Sequence, residues 1–321
     1  MPSRRTSRRC SSSLNRRPGA HEPSRTDPQS PQLLGPALRF VHQEEGEKPC
    51  AGADVRIGIS PFATTRETAL ELSRIAVEGG LDTLWLGDGY LANADFAGWA
   101  GGMESLTELA WLAGRYPTAR TGITAAVLPL RDPAWLAKQA NTLNRMAGGG
   151  FVLVVTPGFW PQDLEARGIA FGDRGAVFEA RLDQLHQLLS EESLSPGPSS
   201  AGPPPLWLAG GAATMARAVA RGLPFQSTRA TPDELAPVAR RFFDAGGTFL
   251  AHRTRLEYGT HDVTGNVVDW NAITGSVDQL VDTLSRYAEL GVRDISIVPG
   301  QDDASSLRTV GVLAAEVVPQ L

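Results

Sequence analysis

From Val55 onward, short β-branched or apolar runs alternate with longer amphipathic stretches, and they do so eight times. No other feature constrains the fold as strongly, because this is the pattern of parallel strands crossed over by helices. The runs predict strands at 55–59, 82–86, 120–127, 151–155, 206–209, 223–227, 247–252 and 293–298. Helices are predicted at 65–79, 103–114, 132–146, 174–190, 212–221, 232–245, 276–290 and 303–318. Asp132-Pro133 and Thr231-Pro232 each place a capping oxygen before a first-turn proline. Gly79-Gly80, Gly148 to Gly150, Gly246-Gly247 and Gly291 follow helix ends, where a left-handed residue is needed. Eight such units in about 265 residues predict an α/β fold, a closed (β/α)8 TIM barrel, over an open doubly wound sheet.

Residues 1–53 break the pattern. They are rich in Arg, Ser and Pro and have no sustained apolar periodicity, so they cannot bury enough surface to offset their ordering entropy. The expected organisation is a disordered extension over 1–53, or a start placed too far upstream, followed by a single barrel domain over 54–321. The extension carries eight Arg and one Lys against five acids, which leaves 21 basic and 30 acidic side chains for the rest, about −9. A barrel this acidic argues against nucleic-acid binding, where a basic patch must neutralise phosphates. No apolar segment follows the paired arginines at 4–5, 8–9 and 16–17, so export is not expected, and no stretch is long and apolar enough to predict a membrane span. Both cysteines, Cys10 and Cys50, fall in the extension, which leaves the barrel without disulfides and fits a reducing cytoplasm.

In a barrel of this kind the working residues follow the strands. A Schiff-base aldolase needs a lysine there, but Lys48 and Lys138 are the only lysines, one in the extension and one in the third helix. The five histidines, at 21, 42, 186, 252 and 261, are too scattered for a metal hydrolase, and no metal site is expected. The fourth strand ends in Thr156-Pro157-Gly158-Phe159-Trp160 with no acid nearby, which argues against a glycosidase. What remains is a mouth of glycines, aromatics and arginines, including Arg253 and Arg255 after the seventh strand, suited to a large planar ligand with an anionic tail. Gly210-Gly211 closes one strand and opens a helix, so backbone N–H groups there can face a phosphate. The pair reads equally as a tight turn until Thr228 and Arg229, at the next strand end, are added to complete an anion pocket.

The stretch LPLRDPAWLAKQANTLNRMAGGGFVLVV, Leu128 to Val155, resembles the bacterial-luciferase-like superfamily of flavin and deazaflavin oxidoreductases. LDTLWLGDGY (Leu81 to Tyr90), GIAFGDRG (Gly168 to Gly175), PPLWLAGG (Pro204 to Gly211) and ITGSVDQLVDTLSRYAELGV (Ile273 to Val292) are similar to the family's blocks in the same order. The resemblance implies that Gly210, Gly211 and Ala212 hold the cofactor phosphate, with Thr228 and Arg229 nearby. It implies a non-proline cis peptide at Thr124-Ala125 under the isoalloxazine, and a flavin lying along Thr156 and Gly158. It further implies reduced FMN, or coenzyme F420, as cofactor, a small-molecule substrate, a flavin reductase as donor of reduced FMN, and a homodimer.

This chain also departs from the family pattern. Asp88-Gly89 stands where the family has Asp-His, so that Asp88 or Tyr90 must take over the polar contact. Val154 and Thr156 replace two glycines of the fourth-strand ladder, and Pro157 removes a backbone donor. The connection 191–205 is shorter than the insertion that covers the active site in many relatives, which predicts a more open or a differently lidded pocket. The candidate catalytic set is Asp88, Tyr90, Arg131 and His252. Arg131 reads equally as an ion-pair partner, His252 as a polar cap, and Phe159 and Trp160 as plain packing. The leading expectation is a luciferase-like monooxygenase using reduced FMN and O2. Its alternatives are F420-dependent hydride transfer and a barrel that binds flavin without catalysis.

Overall fold

The computed structural model describes residues 55–91, 103–259 and 272–321. The extension 1–53, with both cysteines, and His261 lie outside the described residues. The strands are β1 (Arg56–Ile59), β2 (Thr83–Leu86), β3 (Arg120–Val127), β4 (Phe151–Thr156), β5 (Leu206–Ala209), β6 (Phe225–Thr228), β7 (Leu250–Tyr258), β8 (Ile273–Gly275) and β9 (Val292–Pro299). They pair in parallel in the order β6-β5-β4-β3-β2-β1-β9-β7, and β7 pairs back onto β6. Eight strands therefore close a TIM barrel, while the three-residue β8 adds to the outer edge of β7.

The helices are α1 (Arg66–Glu78), α2 (Ser105–Arg115), α3 (Pro133–Met146), α4 (Pro161–Glu165), α5 (Arg174–Leu189), α6 (Ala212–Arg221), α7 (Pro232–Asp244), α8 (Val277–Glu289) and α9 (Asp303–Val312). Their starts follow local chemistry. The Asp132 carboxylate accepts from the N–H groups of Ala134 and Trp135 above α3, and Thr231 with Glu234 forms a reciprocal capping box on α7. None of the described helices is long and apolar enough to cross a membrane.

Alternation with period two gives each strand an outer and an inner face. Outward residues such as Ile57, Leu84, Leu153, Leu208 and Leu250 meet the helices in the main core. Inward residues fill the lower barrel with a dry layer of Trp85, Val152, Val154, Trp207, Phe249 and Ala251. Trp207 sits 5.8 Å from Trp85 and 5.0 Å from Phe249, ring centre to ring centre. Each such ring removes roughly 200 Å² from water, about 5 kcal/mol at 25 cal/mol/Å². Gly122 makes room for it, since a Cβ there would fall 2.2 Å from the Trp85 ring.

Three features differ from the reading of the sequence. β7 runs to Tyr258, not to residue 252, so Arg253 and Arg255 belong to the strand and not to the loop after it. Both faces of its upper half carry polar side chains, and a hydropathy pattern marks such a strand as finished where the apolar run stops. A five-residue helix, α4, follows β4, and β8 precedes α8. Finally, the connection 191–205 packs against the C-terminal half of α3. The Asn144 amide donates to the Gly202 carbonyl at 3.2 Å, and Arg145 donates to the Gly197 and Pro198 carbonyls at 3.2 and 3.0 Å. That is the end of the barrel where strands begin, so the length of this connection does not govern how open the mouth is.

Candidate active site

Above the dry layer, where the strands end, a cavity of about 740 Å³ opens. Its walls come from the ends of β1 to β7 and the first turns of α5 and α6. Of the expected cofactor residues, Thr124, Ala125, Thr156, Gly158, Gly210, Gly211, Ala212, Thr228 and Arg229 all line it.

The β5–β6 side is built for an anion. Gly211 is the N-cap of α6 and offers no capping side chain, so the exposed first turn, Gly211 to Ala213, presents backbone N–H groups at the positive end of the helix dipole. A Cβ at Gly211 would meet nothing within 4 Å, so the backbone is open to an approaching ligand. Thr228 lies exposed at the end of β6, next to Arg229. Arg229 adopts φ +64°, a conformation that disfavours any side chain, and its guanidinium lies 4.8 Å over the Phe159 ring. Arg174, Arg217 and Arg253 join Arg229 in the wall. Arg217 pairs with Glu179, and Arg174 stacks 3.7 Å over Phe171.

Arg253 is buried on the inner face of β7 and donates to the Ser60 and Ser296 hydroxyls at 2.9 and 2.7 Å. Burial, and then the charge of Arg229, push its guanidinium down to about 9. On the neighbouring strand, Gln226 is fully buried and also lines the cavity. Its Oε1 accepts from the Thr124 hydroxyl at 2.5 Å, and its Nε2 has no partner among the described residues. Leaving a buried amide N–H unpaired costs about 1–3 kcal/mol.

Asp88 is the only carboxylate in the described lining, and it is engaged. It accepts from the Val127 N–H at 3.0 Å and from Arg131 at 2.8 and 2.5 Å. Arg131 also reaches Glu104 at 2.8 Å. Burial pulls the Arg131 guanidinium down, but its hydrogen bonds and charge pairing with Asp88 and then Glu104 outweigh this and hold it above its ordinary value. Arg131 therefore stands behind the wall as the ion-pair partner of Asp88. Tyr90 is half exposed outside the lining, with its backbone N–H 3.2 Å from the buried Asp163 carboxylate and Arg167 5.5 Å over its ring.

His252 does not reach the cavity. It is fully buried on the outer face of β7, where Nδ1 meets the Ser227 hydroxyl at 2.8 Å and Nε2 meets the Ala230 carbonyl at 3.0 Å. Its ring packs 4.7 Å from Tyr287 of α8. Burial pushes the imidazole down to about 4, against the opposing pull of the Ala230 and then the Ser227 backbone. This is the polar cap between barrel and helices, not a general acid or base in the cavity.

The sequence pattern that defines luciferase-like monooxygenases matches residues 50–248. The chain belongs to that family. The 4-hydroxyprotoasukamycin monooxygenase of Streptomyces nodosus subsp. asukaensis is 33% identical over 123 residues, 38% of this chain and 31% of that protein. Alignments with curated relatives span between 31% and 58% of those proteins' own lengths. The fold matches the oxygenating constituent of 3,6-diketocamphane monooxygenase from Pseudomonas putida, solved with FMN, at TM-score 0.65 and 14% identity over 84% of this chain and 99% of that one. It also matches an F420-dependent secondary alcohol dehydrogenase, solved with an F420-acetone adduct, at TM-score 0.67 and 14% identity over 83% and 98% of the two chains.

Viewed as a luciferase-like barrel, the departures on β4 have separate explanations. Val154 belongs to the dry layer against the tryptophans, whereas Thr156 and Gly158 reach the cavity. Gly158 has φ +85°, and a Cβ there would fall 2.8 Å from Val127 Cγ1. The peptide Thr124-Ala125 is cis. Gln226, Arg174 and Arg217 are lining residues that reading the sequence did not single out, whereas Arg253 is already read there as part of the cationic mouth. For Gln226 the one available signal was a lone amide inside an otherwise apolar strand start, LPFQ.

Proposed function

We propose that this chain is a flavin-dependent monooxygenase that uses reduced FMN and O2 on a small organic substrate. The observation that carries this reading is the meeting of an uncapped helix N-terminus with Thr228 and Arg229 in a cavity whose lining holds four arginines and one carboxylate already paired. Such a wall holds a phosphate. The same lining includes the apolar and aromatic side chains of Phe62, Pro157, Phe159 and Trp160, as a planar ring requires. When bound, reduced flavin supplies the electrons for oxygen activation.

The protein's own residues bind, orient and keep dry. Gly211, Ala212 and Ala213 donate backbone N–H groups to the phosphate, with Thr228 and Arg229 beside them. Phe62, Pro157, Phe159 and Trp160 exclude water from the ring. Asp88, through its bonds to Arg131 and the Val127 N–H, fixes the end of β3 beneath the ligand. A separate flavin reductase delivers the reduced cofactor, and the working unit is a homodimer in the cytoplasm.

A second reading, hydride transfer with coenzyme F420, draws on Arg174 and Arg217, which add cationic groups beyond the need of a single phosphate. The deciding experiment titrates the full chain with FMN, with reduced FMN under anaerobic conditions and with F420, following fluorescence and heat. Preference for reduced FMN, followed by substrate-dependent oxygen uptake, supports the monooxygenase. Preference for F420 transfers the reading to hydride transfer, flavin binding without turnover on any substrate leaves a binding barrel, and no binding overturns the flavin assignment.

A further inference from the structure

Gln226 is fully buried and leaves one end of its amide without a partner, and of the buried side chains with an unpaired polar atom among the described residues it is the one that lines the cavity. Thr124, across the barrel on β3, bonds the Gln226 Oε1 and thereby sets the plane of the amide. Turning the amide over does not remove the problem, because Thr124 can satisfy only one end and the other is then orphaned instead. The register places Gln226 level with Ala209, two residues below Gly211. It therefore sits deeper than the anion wall, beyond the reach of a group anchored there unless that ligand extends down into the barrel.

A primary amide carries a donor and an acceptor side by side, and a carbonyl oxygen has two lone pairs, so Oε1 can accept a second hydrogen bond while Thr124 keeps the first. The matching partner is a ring edge with an N–H next to a C=O. Resting on the flavin reading above, we propose that Gln226 recognises the imide edge of the cofactor ring, donating Nε2–H to a ring carbonyl and accepting the ring N3–H. FMN and the deazaflavin share that edge, so the assignment holds for either. Arg253 on the adjacent strand adds positive charge on the same side, which favours the electron-rich reduced ring. Gln226 is thus a specificity-determining residue for the ring, distinct from the Gly211 wall that takes the phosphate.

The test uses riboflavin and 3-methylriboflavin, which lack the phosphate and differ only at the imide nitrogen, against the full-length wild type and Gln226→Leu, with binding read by flavin fluorescence. FMN serves as the reference ligand, and melting temperature and circular dichroism check that the variant folds. Wild type should bind riboflavin about tenfold more tightly than its 3-methyl analogue, the worth of one to two buried hydrogen bonds. In Gln226→Leu the two should bind alike, and Gln226→Glu, which keeps an acceptor but loses the donor, should fall between. An unchanged preference in Gln226→Leu, or none in wild type, overturns the inference while FMN binding stands. Should wild type bind neither FMN nor F420, the flavin reading falls and this assignment falls with it.

Discussion

The barrel interior has two layers made by the same strands two residues apart, and they behave oppositely. Val154 packs below and Thr156 lines the cavity above, and Ala251 and Arg253 are related in the same way. The lower layer is filled to contact by Trp85, Trp207 and Phe249. At the boundary, in register with Ala209 and Ala251, Gln226 turns an unpaired amide to the cavity, and above it stand a buried guanidinium and a residue at φ +64°. One layer is closed by apolar contact, with the Trp85 Nε1 unpaired inside it, and the other opens its polar groups onto a cavity, which is how a ligand site differs from a core.

The contrast breaks most visibly from below. Trp207→Ala should lower the unfolding free energy by about 3–5 kcal/mol by opening a cavity among rings that cannot collapse onto it, as measured by urea denaturation. An effect under 1 kcal/mol would mean that the lower layer is not a core.

His252, outside the barrel, gives a pH signature. Its folded pKa, lowered to about 4, lies below the ordinary value near 6.5, so as pH falls the unfolded chain takes up the proton first. Its stability contribution, at most about 3 kcal/mol, is fully present above pH ~6.5 and lost between there and pH ~4. Melting temperature should fall through that window, and His252→Gln should flatten the fall while leaving flavin binding intact. A pH profile unchanged by the substitution would contradict the burial that causes the shift.

Gly211→Val sharpens the comparison from above. Nothing stands within 4 Å of the added Cβ and φ is −83°, so the fold should be kept at a loss of no more than about 1 kcal/mol in N-cap preference. The side chain enters the anion wall, and FMN affinity should drop roughly 30- to 100-fold, about 2–3 kcal/mol, with riboflavin affected far less. Equal loss for both ligands would place the phosphate elsewhere.

The smallest expected effect is the most diagnostic. Arg229→Gly removes a side chain from a left-handed residue, so stability should rise by several tenths of a kcal/mol, up to about 1. FMN affinity should fall about five- to tenfold in the same variant, as isothermal calorimetry would show. A variant both more stable and equally tight would mean that the strain at Arg229 serves no ligand.

Much of the barrel was legible from residues alone, because its determinants are local. Asp132, Thr231 and the glycines after helices mark ends through bonds made within a few positions, and the apolar periods mark the faces. The end of β7 was not legible, since Arg253 is buried against the Ser60 and Ser296 hydroxyls and Arg255 against the Gly300 carbonyl, partners that no local pattern announces. His252 reads from the sequence as a strand-top acid–base group or a polar cap; the strand continues six residues past it, and it caps the outer face low on β7. Asp88 and Arg131 were both noticed, but not that each is the other's partner.

By itself, the sequence determined the count of βα units, their boundaries to within a few residues except at the end of β7, and the glycine turn at 210–211, all set by contacts between near neighbours. Only the tertiary structure decided which polar residues share a cavity. It brought Gln226 to Thr124 across 102 positions of chain, set Arg253 between Ser60 and Ser296, and turned His252 away. Those pairings arise from barrel closure, in which strands far apart in sequence are forced level with one another, and hydrogen bonding then follows register and not sequence distance.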